Sequence, residues 1–373
     1  MELIRKEWTD LTEETFDSLV DAGRIDWRCI DGKLYFHRHF LGCLRMYPKQ
    51  APGLKQETPD HTDRDALLHR MQTEGQVTAE ITIKASIRPH ESAQGKTVQA
   101  WLPIASDCPQ QSRIEILDAT PGYILGPADA PQRTIYWEST TQDHFEVTYR
   151  YLHKAVFQDP MVLTCDPVQP TFLTGEQAPH IRFTPYLRAL TARVTEGCKT
   201  PLERAKAIYD YLTTHLDYRY QPAYLQLDDI ADTCVRELRG DCGVMSLAFI
   251  AMCRICGIPA QWQSGLFVQP GDAGAHDWAM FYVAPYGWLW ADISFGVSAH
   301  RNGEEWRRQH YFGSMDPWRM VANSVFQAPL SPPDLALRDD PCDNQMGELA
   351  VDGIGLAGWE MDHKVEVLEF NIL

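Results

Sequence analysis

The segment from Cys242 to Cys256, CGVMSLAFIAMCRIC, is apolar on nearly every side and interrupted only by Arg254. A helix of this kind has no face for solvent, so other layers must wrap it and it must lie at the centre of a core. It is shorter than the roughly 20 apolar residues that cross a bilayer, so no membrane span is expected from it. Its limits are marked in the sequence. Gly240-Asp241 turns the chain into the helix with Asp241 as the candidate cap, and Gly257 stops it with Pro259 beyond. Cys242 opens the helix, where the dipole and the unpaired amides of the first turn face its sulfur and favour a thiolate. The charge of Asp241 opposes that effect unless its carboxylate is turned to the backbone.

Downstream, AQWQSGLFV, the glycine-rich QPGDAGA, HDWAMFYVA, the turn PYG and WLWADIS read as three sequential antiparallel strands. His276 is expected to open the second strand and Asp292 to end the third. Their separation is even, so an odd-length turn places both side chains on one face of the sheet. A plain three-residue turn leaves them offset along the strands, and twist or a bulge must bring them into bonding range. An imidazole held through one nitrogen by a carboxylate, with the other facing a thiol, is the generalised triad of nucleophilic catalysis.

The runs GDCGVMSLAFIAMCRICGIPAQWQSGLFV and HDWAMFYVAPYGWLWADISFG together resemble the transglutaminase-like superfamily. The shared pattern is a Gly-x-Cys helix start, Gly-Ile-Pro-Ala before a strand, His-x-Trp on another, and Gly-Trp followed by Asp, and it covers about residues 200 to 296. The resemblance implies a papain-like core with Cys242 as nucleophile, His276 as general base and acid, and Asp292 orienting the histidine. It implies acyl transfer on an amide, with no metal or organic cofactor. It also implies an oxyanion site made by the Cys242 amide and an aromatic donor from the preceding segment, where Tyr218 and Tyr220 lie. Two positions depart from the pattern: a glycine follows Cys242, and Asp277 stands before Trp278 where many members carry a small residue. Asp277 is therefore a candidate either to tune the histidine or to contact substrate, and Trp278 to contact substrate, as is Arg319 in HYFGSMDPWRMVANSVFQ, a segment whose Asp316, Arg319 and Asn323 fit either a pocket or, better, a structural cap over the core.

The expected fold class is α+β. Residues 1–70 read as a helix and hairpin unit with a linker, the hairpin turning at Asp31-Gly32. Residues 76–155 alternate with period two over several turn-separated runs, as in a small β-sandwich. Residues 175–300 form the catalytic domain, opened by the capping sequence Thr200-Pro201-Leu202-Glu203, and residues 301–373 form an extension expected to pack on it. A net charge of −17 argues against a nucleic-acid or anionic-membrane surface as the main partner. The start of the chain lacks the apolar run of a secretory signal and the ten cysteines have no framework spacing, so a cytoplasmic location with free thiols is expected. Cys253-x-x-Cys256 reads as core packing, and His37 with His39 lacks the further ligands of a metal site. The favoured function is cysteine-dependent hydrolysis of a peptide or other amide. Amine transfer to glutamine and a catalytically silent binding module are the alternatives.

Overall fold

The structure, a computed structural model, describes residues 8, 10–47, 51, 53–54, 62–334, 336–339 and 341–373. Thr12 accepts the Thr15 amide and caps α1 (Glu13–Asp21). Strands β1 (Trp27–Ile30) and β2 (Lys33–Phe36) pair across Asp31 and Gly32, whose φ angles of 50° and 75° suit the tight hairpin turn. Helix α2 (Phe40–Arg45) completes this unit, and Phe16, Leu19, Ile25, Phe40 and Leu44 form its small core. The expected linker falls largely on residues outside those described, and α3 (Thr62–Glu74) follows it.

The next strands are β3 (Gln76–Pro89), β4 (Val98–Pro103), β5 (Gln111–Ala119), β6 (Ile124–Leu125), β7 (Thr134–Ser139) and β8 (Phe145–Val156). In β8 every second residue from Phe145 to Ala155 is buried, which is the alternation of a half-buried strand. After the proline-rich crossing come α4 (Pro185–Val194) and α5 (Pro201–His215). Thr200 and Glu203 close a capping box at the start of α5. Strand β9 (Asp217–Tyr218), α6 (Ile230–Glu237) and β10 (Arg239–Gly240) lead into α7 (Cys242–Ile255).

The central sheet follows: β11 (Ala260–Gln269), β12 (Asp272–Val283) and β13 (Gly287–Ala291), then α8 (Ile293–Arg301), α9 (Glu305–His310), β14 (Phe312–Gly313) and β15 (Arg319–Asn323). Its order is β14-β13-β12-β11-β15. The expected glycine-rich loop is mostly strand, because β11 and β12 pair as far as Gln269 with Asp272 and leave Pro270-Gly271 as the turn. His276 therefore lies inside β12 and not at its start. One face of this sheet buries Ala279, Phe281, Leu289 and Ala291 against α7, whose length is almost wholly buried. The one cation in α7, Arg254, donates to the carbonyls of Ala260 and Gly175, which is how a charge survives there. The other face buries Trp278, Leu266 and Met320 against the sandwich.

The C-terminal extension differs from expectation. β14 and β15 form the two edges of the central sheet, and β16 (Glu348–Val351), β17 (Ile354–Gly355) and β18 (Met361–Ile372) complete the sandwich. β16 pairs with β4, and β18 runs along β3 from Met361 with Pro89 to Ile372 with Ala79. The sandwich is thus a five-stranded sheet, β17-β16-β4-β7-β6, over a four-stranded one, β18-β3-β8-β5. β3 is apolar on the face toward the core, and without β18 its outer edge would be a long unpaired template.

Candidate active site

Cys242 is the first residue of α7, and Asp241 caps that helix by accepting the Val244 amide. The amides of Cys242 and Gly243 make no hydrogen bond among the described residues, so two donors of the first turn stay available beside the sulfur of this half-buried residue. The Tyr224 hydroxyl donates to the same Asp241 oxygen, Oδ1. Burial raises the Asp241 carboxyl to about 6, against the pull of those two hydrogen bonds.

The thiol donates to Asp277, with Sγ 3.2 Å from Oδ2. Burial, then the charges of Asp277 and Asp241, push the Cys242 thiol well above the ordinary range, so at rest it is protonated. Asp277 is held in turn by the Gln345 amide, which also donates to the His276 carbonyl at 3.0 Å. Behind it Asp343 is buried, bonded to the Ser264 hydroxyl and to Asp277, and its carboxyl is raised by burial. Two carboxyl groups in contact at such a place favour sharing one proton.

His276 is the neighbour of Asp277 on β12, so its side chain turns the other way. Its Nε2 is 2.7 Å from Asp292 Oδ2. The offset between the strands is closed because Asp292 leaves the sheet to cap α8, accepting the Phe295 amide and the Ser294 hydroxyl on Oδ1. Arg319 donates to Asp292 Oδ2 at 2.8 Å and to Asp316 through its other nitrogen, all of them 1% exposed or less. Burial alone would raise the Asp292 carboxyl, but the charge and hydrogen bond of His276 and the charge of Arg319 outweigh it and hold the group well below the usual carboxylate range. With Nε2–H donating to Asp292, Nδ1 is the basic nitrogen, and it makes no hydrogen bond among the described residues.

Cys242 and His276 are thus not joined by a hydrogen bond. The thiol partner is the residue next to the histidine, for the plain reason that consecutive strand residues face opposite ways. Gly243, read in the sequence as a departure, has a steric cause: a Cβ there would come within 2.8 Å of Asp277 Oδ2 and of the Trp262 ring, with the Tyr224 hydroxyl closer still. Tyr218 and Tyr220 both lie within electrostatic range of Cys242, their hydroxyls raised above the ordinary range chiefly by burial, and their rings meet edge to face at 5.5 Å. Trp278 and Arg319 are not substrate contacts. The Trp278 ring is buried against the sandwich and donates to Gln263, and Arg319 serves Asp292. Asp316 and Asn323 are likewise fully buried. Tyr224, Asp343 and Gln345 were not visible as site residues in the sequence, since no motif marks them and the last two arrive from beyond the central sheet. His37 and His39 lie with ring centroids 5.7 Å apart, and no cluster of metal-ligating side chains is present among the described residues.

Residues 188–293 match the family model of the transglutaminase-like superfamily, and this domain is a transglutaminase-like core. No curated protein matches the chain. Among solved structures, a proposed cysteine protease from Cytophaga hutchinsonii is 14% identical, covers 79% of this chain and 92% of its own, and superposes with a TM-score of 0.50. The periplasmic domain of TgpA from Pseudomonas aeruginosa is 15% identical over 60% of this chain and 98% of its own, with a TM-score of 0.33. The first of these likenesses concerns the fold, and at such identity the reaction has to be argued from the site itself.

Proposed function

We propose that the protein is a cysteine-dependent amide hydrolase whose nucleophile is Cys242. The observation that carries this reading is the His276–Asp292 pair, which commits Nε2 to a permanently charged carboxylate and leaves Nδ1 unengaged, one residue from the group that touches the thiol. In the reaction the thiol leaves Asp277, and since His276 stands on the opposite side of β12 at rest, the sulfur and the imidazole must first come together at the strand before His276 Nδ1 takes the proton. The thiolate then attacks the carbonyl carbon, and the oxyanion rests on the free amides of Cys242 and Gly243 with the Tyr218 hydroxyl beside them. His276 returns the proton to the departing amine, and water, deprotonated by the same nitrogen, hydrolyses the thioester. Hydrolysis is preferred to amine transfer because water needs no binding site, whereas an amine acceptor must be bound and water excluded.

A second reading, a silent binding module, is favoured by the Cys242–Asp277 hydrogen bond, which keeps the thiol protonated. The two are separated by following new primary amines released from a panel of acetylated peptides. Cys242→Ala should abolish release and His276→Ala should lower it about 10²- to 10⁴-fold. No release, or release indifferent to both changes, contradicts the hydrolase. Incorporation of a labelled primary amine into a glutamine donor faster than hydrolysis would turn the reading to amine transfer.

A further inference from the structure

β11 and β12 pair Ser264 with Asp277, so these two side chains stand side by side on one face of the sheet. The segment 342–345 crosses that pair and is pinned from both sides. The Cys342 carbonyl accepts from Gln132 at 2.9 Å and from the Gln327 amide at 2.7 Å, and Asn344 donates to the Trp101 carbonyl at 3.1 Å. Held in this way, Asp343 accepts the Ser264 hydroxyl and meets the Asp277 carboxyl, and Gln345, two residues on, donates to Asp277. Asp343 is 4% exposed, and two carboxylates in contact at such a place do not both ionise. The donors decide where the proton sits. Asp277 accepts from the Cys242 thiol at 3.2 Å and from Gln345, whereas the donor to Asp343 is Ser264, so the charge belongs on Asp277 and the proton on Asp343. The nearby cation lies on the side of Asp343: Arg338 donates to the Asp343 carbonyl at 3.0 Å and pairs with Glu348 at 2.6 Å. The other ionisable groups around the thiol and Asp277 are Asp241, Tyr218, Tyr220 and Tyr224, all of them acids, while His276 faces the opposite way.

We infer that Asp343 is a positioning residue for the nucleophile, a proton store that draws the negative charge away from the sulfur when the thiolate forms. As the thiol proton leaves, the Asp343 O–H bond breaks and that proton bonds to Asp277, so the charge passes from Asp277 to Asp343, on the side of Arg338. The inference rests on the hydrolase reading for the use made of the thiolate, but the acidity of Cys242 is measured without a substrate. The test is the pH dependence of iodoacetamide labelling in the full-length protein, with the label located on the Cys242 peptide by mass. Asp343→Asn keeps the shape and a neutral donor but has no carboxyl proton to yield. It should raise the midpoint by about one pH unit and slow labelling at about pH 7.5 roughly threefold, the thiolate fraction falling faster than its nucleophilicity rises. Asp277→Asn should move the midpoint the other way, and adding Asp343→Asn to it should change nothing further, because the acceptor of the proton is gone. Arg338→Gln leaves both carboxyls in place and weakens the cation side, so it should slow labelling in the wild-type background and leave Asp277→Asn unmoved; this pair carries the test should Asp343→Asn not fold. A midpoint that Asp343→Asn leaves unchanged or lowers, or effects of the two aspartates that simply add, overturns the proton store. The shifts as described in a protein that cleaves no peptide leave the store standing and remove the hydrolase. Cleavage that needs Cys242 and His276, with a midpoint indifferent to Asp343→Asn, does the reverse.

Discussion

Asp277→Asn should make Cys242 more reactive. A unit charge 3.2 Å from the sulfur, at an effective dielectric of roughly 40 for this partly exposed place, opposes the thiolate by ~2.6 kcal/mol, or about two pKa units. Asparagine keeps the shape and removes the charge, and its amide can donate to the sulfur anion. Each unit of lowered thiol pKa raises the thiolate fraction tenfold but lowers its intrinsic nucleophilicity about threefold, so two units give a net gain of about tenfold. The assay is the rate of iodoacetamide labelling at pH 7.5, with the label located on the Cys242 peptide by mass and Cys198 as the internal reference. Gln345→Ala, which frees Asp277 without removing its charge, should change the rate by less than Asp277→Asn does. A labelling rate unchanged or lowered in Asp277→Asn would refute the reasoning that this carboxylate holds the thiol proton.

Gly243→Ala should displace Tyr224 and Asp277 and lower activity while the fold survives, checked by kinetics alongside circular dichroism. Arg319→Met strips the counter-ion from two buried carboxylates and should cost about 3–5 kcal/mol in denaturant unfolding, whereas Arg319→Lys should recover part of it. His153 and His310 are lowered to about 4 by burial, so each is neutral when folded but protonates below about 6.5 when unfolded. The stability each contributes is present above pH 6.5 and is lost as the pH falls toward 4. Glu348 and Asp241, raised by burial to about 7 and about 6, act in the opposite direction over that window. The check is therefore a difference: His310→Gln should lose less melting temperature than wild type between pH 6.5 and 4.5, and an equal loss would count against the assignment.

Local chemistry carried most of what could be read from the sequence. Cys242 at a helix start, the Asp31-Gly32 turn and the Thr200 capping box all depend on neighbouring residues, and the structure has them where local rules place them. His276 with Asp292 depended on strand parity, which also survives. What was lost is long-range. Asp277 stayed open between tuning the histidine and contacting substrate, because parity tells which face a residue takes, not what stands against it. Gln345 and Asp343 reach the site from a segment some 100 residues after the nucleophile, and β18 closes a sandwich begun nearly 300 residues earlier. Such pairings are set by the burial of whole sheet faces, which no local pattern records. Arg319 stays open between recognition and a structural cap for the same reason: an arginine in a polar-looking segment fits either role until Asp292 and Asp316 are seen on either side of it.

The central claim is that Cys242 becomes acylated with His276 as proton carrier. It is tested most directly by acid-quenching wild-type protein during turnover of a cleaved peptide and weighing the Cys242 fragment. The account predicts a thioester adduct of the acyl portion on Cys242, absent in Cys242→Ala and formed at least about 100-fold more slowly in His276→Ala. Turnover with no adduct at any quench time, or an adduct that forms equally fast without His276, would contradict it.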